Sequence, residues 1–128
     1  MATKKYISGS VLVREGERSN VIFILLSGCI GVFKGAMKIS EFSEKGVVLG
    51  EMSSILGEKR TATLKAIEDS FVIELSTGVD QLISEYPDIT KKIMVNLAQR
   101  LKKTTQEYWL LATEVNQQQI SQIKEEEK

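Results

Sequence analysis

The sequence predicts a mainly β fold finished by C-terminal helices, and three observations predict it. Up to Leu75 the chain is cut into short apolar pieces by closely spaced turn signals. Two of those pieces alternate their faces with period two. Past Leu75 the spacing of apolar residues lengthens to three and four, and no glycine or proline occurs from Asp88 to Lys128. The 128 residues suffice for one hydrophobic core and are too few for two cores and a linker, so a single domain over 1–128 is expected.

The turn signals are Ser8-Gly9, Glu15-Gly16-Glu17, Ser27-Gly28, Lys34-Gly35, Lys45-Gly46 and Glu68-Asp69. Between them lie candidate strands at Val11–Val13, Val21–Leu26, Cys29–Phe33, Met37–Phe42, Val47–Leu49, Thr61–Ala66 and Phe71–Leu75, several rich in β-branched residues. Ala62, Leu64 and Ala66 share one face against Thr61, Thr63 and Lys65. Likewise Phe71, Ile73 and Leu75 oppose Val72 and Glu74. Each strand should be half buried, as in a small barrel or sandwich covering about residues 5–76.

Thr77 followed by Asp80 resembles a capping box, with Val79, Leu82, Ile83 and Tyr86 at helical spacing behind it, which gives a short helix over about 77–86. Pro87 then opens a long helix over about 88–124, with Asp88 in its first turn. Along that helix Met94, Leu97, Leu101, Thr104, Tyr108, Leu111 and Val115 alternate three and four apart, the spacing of a coiled-coil seam. The stripe predicts either a homodimer contact or packing back onto the barrel.

Composition excludes several functions. The chain has no histidine, hence no Ser-His-Asp relay, no imidazole base and no histidine-built metal site of the kind cupins use. No other nucleophile–base pair is assembled, so an enzyme is not expected. Seventeen basic residues balance seventeen acidic ones, which gives no net field for nucleic acid or an anionic membrane. The cluster Lys91, Lys92, Arg100, Lys102 and Lys103 reads as a solvated helix face. The lone Cys29 fits a reducing, cytoplasmic setting, and the longest apolar run, Val21 to Leu26, is far too short for a bilayer.

The stretch Leu49 to Thr63, LGEMSSILGEKRTAT, carries the chemistry. A helical turn at Met52 to Leu56 would offer unpaired N–H groups and a positive dipole end to an anion. Arg60 adds a planar fork able to pair two phosphate oxygens. Glu51 accepts hydrogen bonds only, so its partner should be a hydroxyl.

This Gly-Glu pair with a spaced Arg-Thr-Ala-Thr resembles the phosphate-binding cassette of the cyclic-nucleotide-binding domain family, which includes the catabolite activator protein, the regulatory subunits of cyclic-AMP-dependent kinase and cyclic-nucleotide-gated channels. The similarity extends over about Tyr6 to Leu101, including Ser8 to Glu17 and Ile22 to Gly28. It implies a β-roll or jelly-roll barrel followed by a short and a long helix, a cAMP or cGMP ligand, and no other cofactor or metal. Carried over to this chain, it implies Gly50 and Glu51 at the ribose, the Met52 and Ser53 amides and Arg60 at the phosphate, and Thr61 and Ala62 beside them. Thr61 resembles cyclic-GMP-responsive members.

The resemblance also implies a lid over the base from the last helix, for which Arg100, Tyr108 and Trp109 are the candidates. Ser54 departs from the family's usual aliphatic residue and is expected to loosen the cassette. No DNA-binding domain is expected within this chain. The alternatives are a ligand-free interaction or dimerisation module of the same fold, and a fragment of a cyclic-nucleotide-regulated transcription factor.

Overall fold

A computed structural model describes the backbone of residues 2–126 and the side chains of residues 2–120. Eight strands and three helices follow in chain order: β1 (Ala2–Tyr6), β2 (Val11–Val13), β3 (Val21–Ser27), β4 (Ile30–Lys34), β5 (Met37–Phe42), β6 (Val48–Leu49), α1 (Glu51–Leu56), β7 (Thr63–Ala66), β8 (Ser70–Ser76), α2 (Val79–Glu85) and α3 (Pro87–Glu126). The chain divides into two compact units, Met1–Ile93 and Met94–Lys128.

Within the first unit the strands form two four-stranded sheets, ordered β1-β8-β3-β6 and β2-β7-β4-β5, with antiparallel pairing throughout. Phe23, Leu25 and Val72 from the first sheet meet Val13, Ile30, Leu64 and Ala66 from the second in one buried cluster. This is the inner-face packing of two stacked sheets, with alternate residues pointing inward from each. Ile22 and Leu75, cross-strand partners, are buried outside that cluster, as are Leu82 of α2 and Ile93 of α3. Period-two patterning on β7 behaves as expected, with Leu64 and Ala66 buried and Thr63 and Lys65 only partly so.

Several expectations need correction. β1 was not among the predicted strands, because Ala2–Tyr6 exposes four of its five residues and has no apolar period to read. Pairing with β8 makes it a strand: Tyr6 is buried, its hydroxyl donates to the Glu74 carboxylate, and Lys4 and Lys5 decorate an open edge. On β8 burial does not follow one alternating set, since Val72 and Leu75 are both buried while Ile73 and Glu74 are partly so. Val72 is fully buried and Phe71 is 41% exposed, beneath the Lys5 ammonium. The pairing with β3 shifts register between Leu25 and Ser27, opposite Val72 and Phe71. The expected capping box at Thr77 is absent: α2 begins at Val79 behind Gly78 with no side-chain cap, and the Thr77 hydroxyl bonds to Gln81 and the Gly78 carbonyl.

Candidate functional site

Gly50 fixes the geometry of the site. It sits between β6 and α1 at φ +79°, in the left-handed region, and a Cβ there would fall 2.9 Å from Arg60 Nη1 and 3.4 Å from both Phe23 and the Val21 carbonyl. The turn it makes throws the chain into the six-residue helix α1, one residue earlier than the turn predicted from sequence. That helix ends at Gly57, also left-handed at φ +66°, whose N–H returns to the Ser53 carbonyl. Met52 and Ser53 stand in the first turn of α1, where backbone N–H groups have no helical acceptor. Glu51 is buried at the start of the helix, while Met52 is exposed.

Arg60 reaches into this turn and is 4% exposed. A guanidinium has five N–H donors, and four of them are placed on protein acceptors. Nη1 donates to the Gly50 carbonyl at 2.6 Å and to Ser53 Oγ at 2.7 Å. Nη2 donates to the Val21 carbonyl at 2.5 Å and to Ser19 Oγ at 3.2 Å. The buried Nε has no partner among the described residues. Burial lowers the pKa of Arg60, and the negative charges of Glu17 and Glu51 oppose that shift; an arginine remains charged under such a perturbation.

The sequence predicts that the planar fork of Arg60 pairs two phosphate oxygens. In the structure both terminal nitrogens face protein, and Nε is the donor left over. A buried donor without an acceptor costs about 1–3 kcal/mol, and a polar site left short of one acceptor fits an anion that supplies it.

Thr61 is exposed and Ala62 half-buried; both lie in the connection after Arg60, because β7 begins only at Thr63. Ser54, expected to loosen the cassette, is tied instead: its hydroxyl donates to the Asn20 carbonyl at 3.1 Å and lies 3.5 Å from that of Thr77. Ser19 and Val21 were missed as partners of Arg60. They precede or open β3, and no local spacing connects them to a residue on the far side of α1. Arg100, Tyr108 and Trp109 lie on α3 within the Met94–Lys128 unit, where Tyr108 and Trp109 are 73% and 63% exposed. Among the described residues no three Cys, Asp or Glu side chains are grouped to hold a metal ion.

The model of the cyclic nucleotide-binding domain matches residues 3–86, and the chain belongs to that family. Among curated proteins it is 32% identical over 100 residues to lysophospholipase nte1 of Neurospora crassa, spanning 74% of this chain and 7% of that one. It is 29% identical over 114 residues to the cAMP-activated global transcriptional regulator CRP of Escherichia coli O6:H1, spanning 84% of this chain and 54% of that one. The matched region is thus a small part of the first relative and about half of the second. Among solved structures, Sp-2Cl-cAMPS bound to PKAR CBD2 superposes with a TM-score of 0.60 at 27% identity, over 80% of this chain and 70% of that one. The two antiparallel sheets and following helices therefore form the jelly-roll fold of cyclic-nucleotide-binding proteins.

Proposed function

We propose that this chain is a cyclic-nucleotide sensor, binding cAMP or cGMP in the Gly50–Ala62 cassette and acting as a regulatory domain of the cytoplasm rather than by catalysis. The unpartnered, buried Arg60 Nε carries this reading, since a cyclic phosphate brings one negative charge and acceptor oxygens to a donor that lacks one. The first-turn amides of Met52 and Ser53 add donors to the same anion. Glu51, an acceptor, takes the ribose hydroxyl.

Calorimetric titration of both nucleotides into wild type, Arg60→Lys and Arg60→Leu tests it. Lysine keeps the charge and loses the Nε–H. Losing a charge-assisted bond worth about 1.5–3 kcal/mol weakens binding by roughly 10- to 150-fold. Folded wild type that gives no heat with either nucleotide, or equal affinity in all three proteins, sinks the proposal. The second reading, a ligand-free module of the same fold, draws on the four protein acceptors that already hold Arg60, and it is what a silent titration would favour.

The output is read from α3. Met94, Leu101, Tyr108, Leu111 and Val115 are each 45–73% exposed and repeat at coiled-coil spacing, which supports a homodimer through this helix. Leu101→Glu should lower the sedimentation-derived mass to that of a monomer, and an unchanged mass removes the seam. A base lid from Arg100, Tyr108 or Trp109 predicts slower hydrogen exchange over residues 88–115 on saturation with ligand. The same exchange with and without ligand rejects it.

A further inference from the structure

Ser53 stands out once the donors around Arg60 are counted. Its hydroxyl is nearly buried, at 8% exposure for the residue, and its oxygen accepts the Nη1–H of Arg60 at 2.7 Å. A serine hydroxyl carries one donor besides its acceptor lone pairs. With the oxygen held by the guanidinium, the O–H proton can still rotate toward a ligand, and the neighbouring Arg60 Nε–H has no acceptor among the described residues. An unpartnered donor and a rotatable hydroxyl thus sit on one anchored pair of side chains, with Ser53 in the first turn of α1.

We infer that the side-chain hydroxyl of Ser53 is itself a phosphate-binding group of this chain, donating its proton to one exocyclic oxygen of the cyclic phosphate while Arg60 holds its oxygen. This rests on the cyclic-nucleotide reading above and adds a residue to it, since there only the Ser53 amide faces the phosphate. Contact with a guanidinium polarises the hydroxyl toward donation, which strengthens its bond to an anion. The ligand then binds without displacing any of the four bonds that hold Arg60.

The test is a titration of wild type, Ser53→Ala and Ser53→Thr with cAMP and cGMP and with the Rp and Sp cyclic phosphorothioates, in which sulfur replaces one exocyclic oxygen or the other. Melting curves on each protein report folding, and Arg60 Nη1 keeps the Gly50 carbonyl in every variant. Ser53→Ala should weaken binding roughly tenfold or more. It should also shrink the wild-type difference between the two diastereomers, because only one of them places sulfur at the hydroxyl. Ser53→Thr, which keeps a hydroxyl, should restore both. Affinity within twofold of wild type in Ser53→Ala overturns the inference. So does an equal loss for both diastereomers, which would make Ser53 only a support for Arg60. Wild type that binds neither nucleotide defeats the underlying reading instead, and is told apart from these outcomes before any variant is made.

Discussion

Replacing Gly50 by alanine tests the link between backbone conformation and the site. The residue sits at φ +79°, and holding an L side chain in the left-handed region costs about 1–2 kcal/mol. The new Cβ would also stand 2.9 Å from Arg60 Nη1. A free side-chain end would move aside at little cost, but this one is held at 2.6 Å by the Gly50 carbonyl and at 2.7 Å by Ser53 Oγ. Phe23 and the Val21 carbonyl at 3.4 Å close the other directions. One charge-assisted bond must therefore yield, at about 1.5–3 kcal/mol, for a total of about 2.5–5 kcal/mol.

Gly57 is the internal control. It has a similar φ of +66° and nothing within 4 Å of its would-be Cβ, so Gly57→Ala should cost only the conformational part, about 1–2 kcal/mol. Urea unfolding of the two variants measures the difference directly through their midpoints. The gap should be about 1.5–3 kcal/mol, or roughly 6–12 °C in Tm for a domain of this size. Equal losses in the two variants would refute the argument that Arg60 is packed against the turn, and with it the donor count on which the site rests.

Other predictions follow from packing and charge. Val72→Ala empties a fully buried position and should cost about 2 kcal/mol, whereas Phe71→Ala, on a residue 41% exposed, should cost less than about 1 kcal/mol; the reverse order in denaturant titrations would contradict the place of Val72 in the core. Burial, reinforced by the hydrogen bond to Glu74 and its negative charge, raises the Tyr6 phenol above its ordinary pKa of 10.0. Folded Tyr6 then keeps a proton that the unfolded chain has lost, so stability should fall as pH rises past 10, and Tyr6→Phe should flatten that slope in melts across the alkaline range. Thr61→Ala should shift the ratio of cGMP to cAMP affinity by at most about tenfold toward cAMP, the reach of one neutral hydrogen bond; no shift in paired titrations would remove Thr61 from base selection.

Local signals made most of the fold legible. Glycine turns and apolar pieces located seven strands to within a residue or two, and the change of period after Leu75 marked the helices. What escaped depends on contacts distant in sequence. β1 becomes a strand by pairing with β8, and the burial of both Val72 and Leu75, which alternation puts on opposite faces, could not be read from β8 alone. In the cassette, Gly50 and Arg60 could be singled out because the chemistry of a phosphate calls for them. The acceptors that turn the arginine's fork inward, Ser19 and the Val21 carbonyl, could not, since one is an unremarkable loop serine and the other a backbone atom. Ser54 shows the opposite error: a polar residue at an apolar position looked like a defect, and a tertiary hydrogen bond makes it a tether.

The main chain of Arg60 is held as firmly as its side chain. Its N–H donates to the Glu17 carbonyl and its own carbonyl accepts from the Gly16 N–H, both at 2.8 Å, so the turn at Glu15-Gly16-Glu17 clamps it from far upstream. Immobilising a rotamer-rich side chain at a binding site ordinarily costs about 0.5–1.5 kcal/mol on association. Here folding has already fixed it at both ends, and a ligand bound in the cassette would meet a rigid cation instead of recruiting a mobile one. An insertion in the Glu15–Glu17 turn, with every cassette residue intact, should therefore weaken binding chiefly by returning that freedom to Arg60.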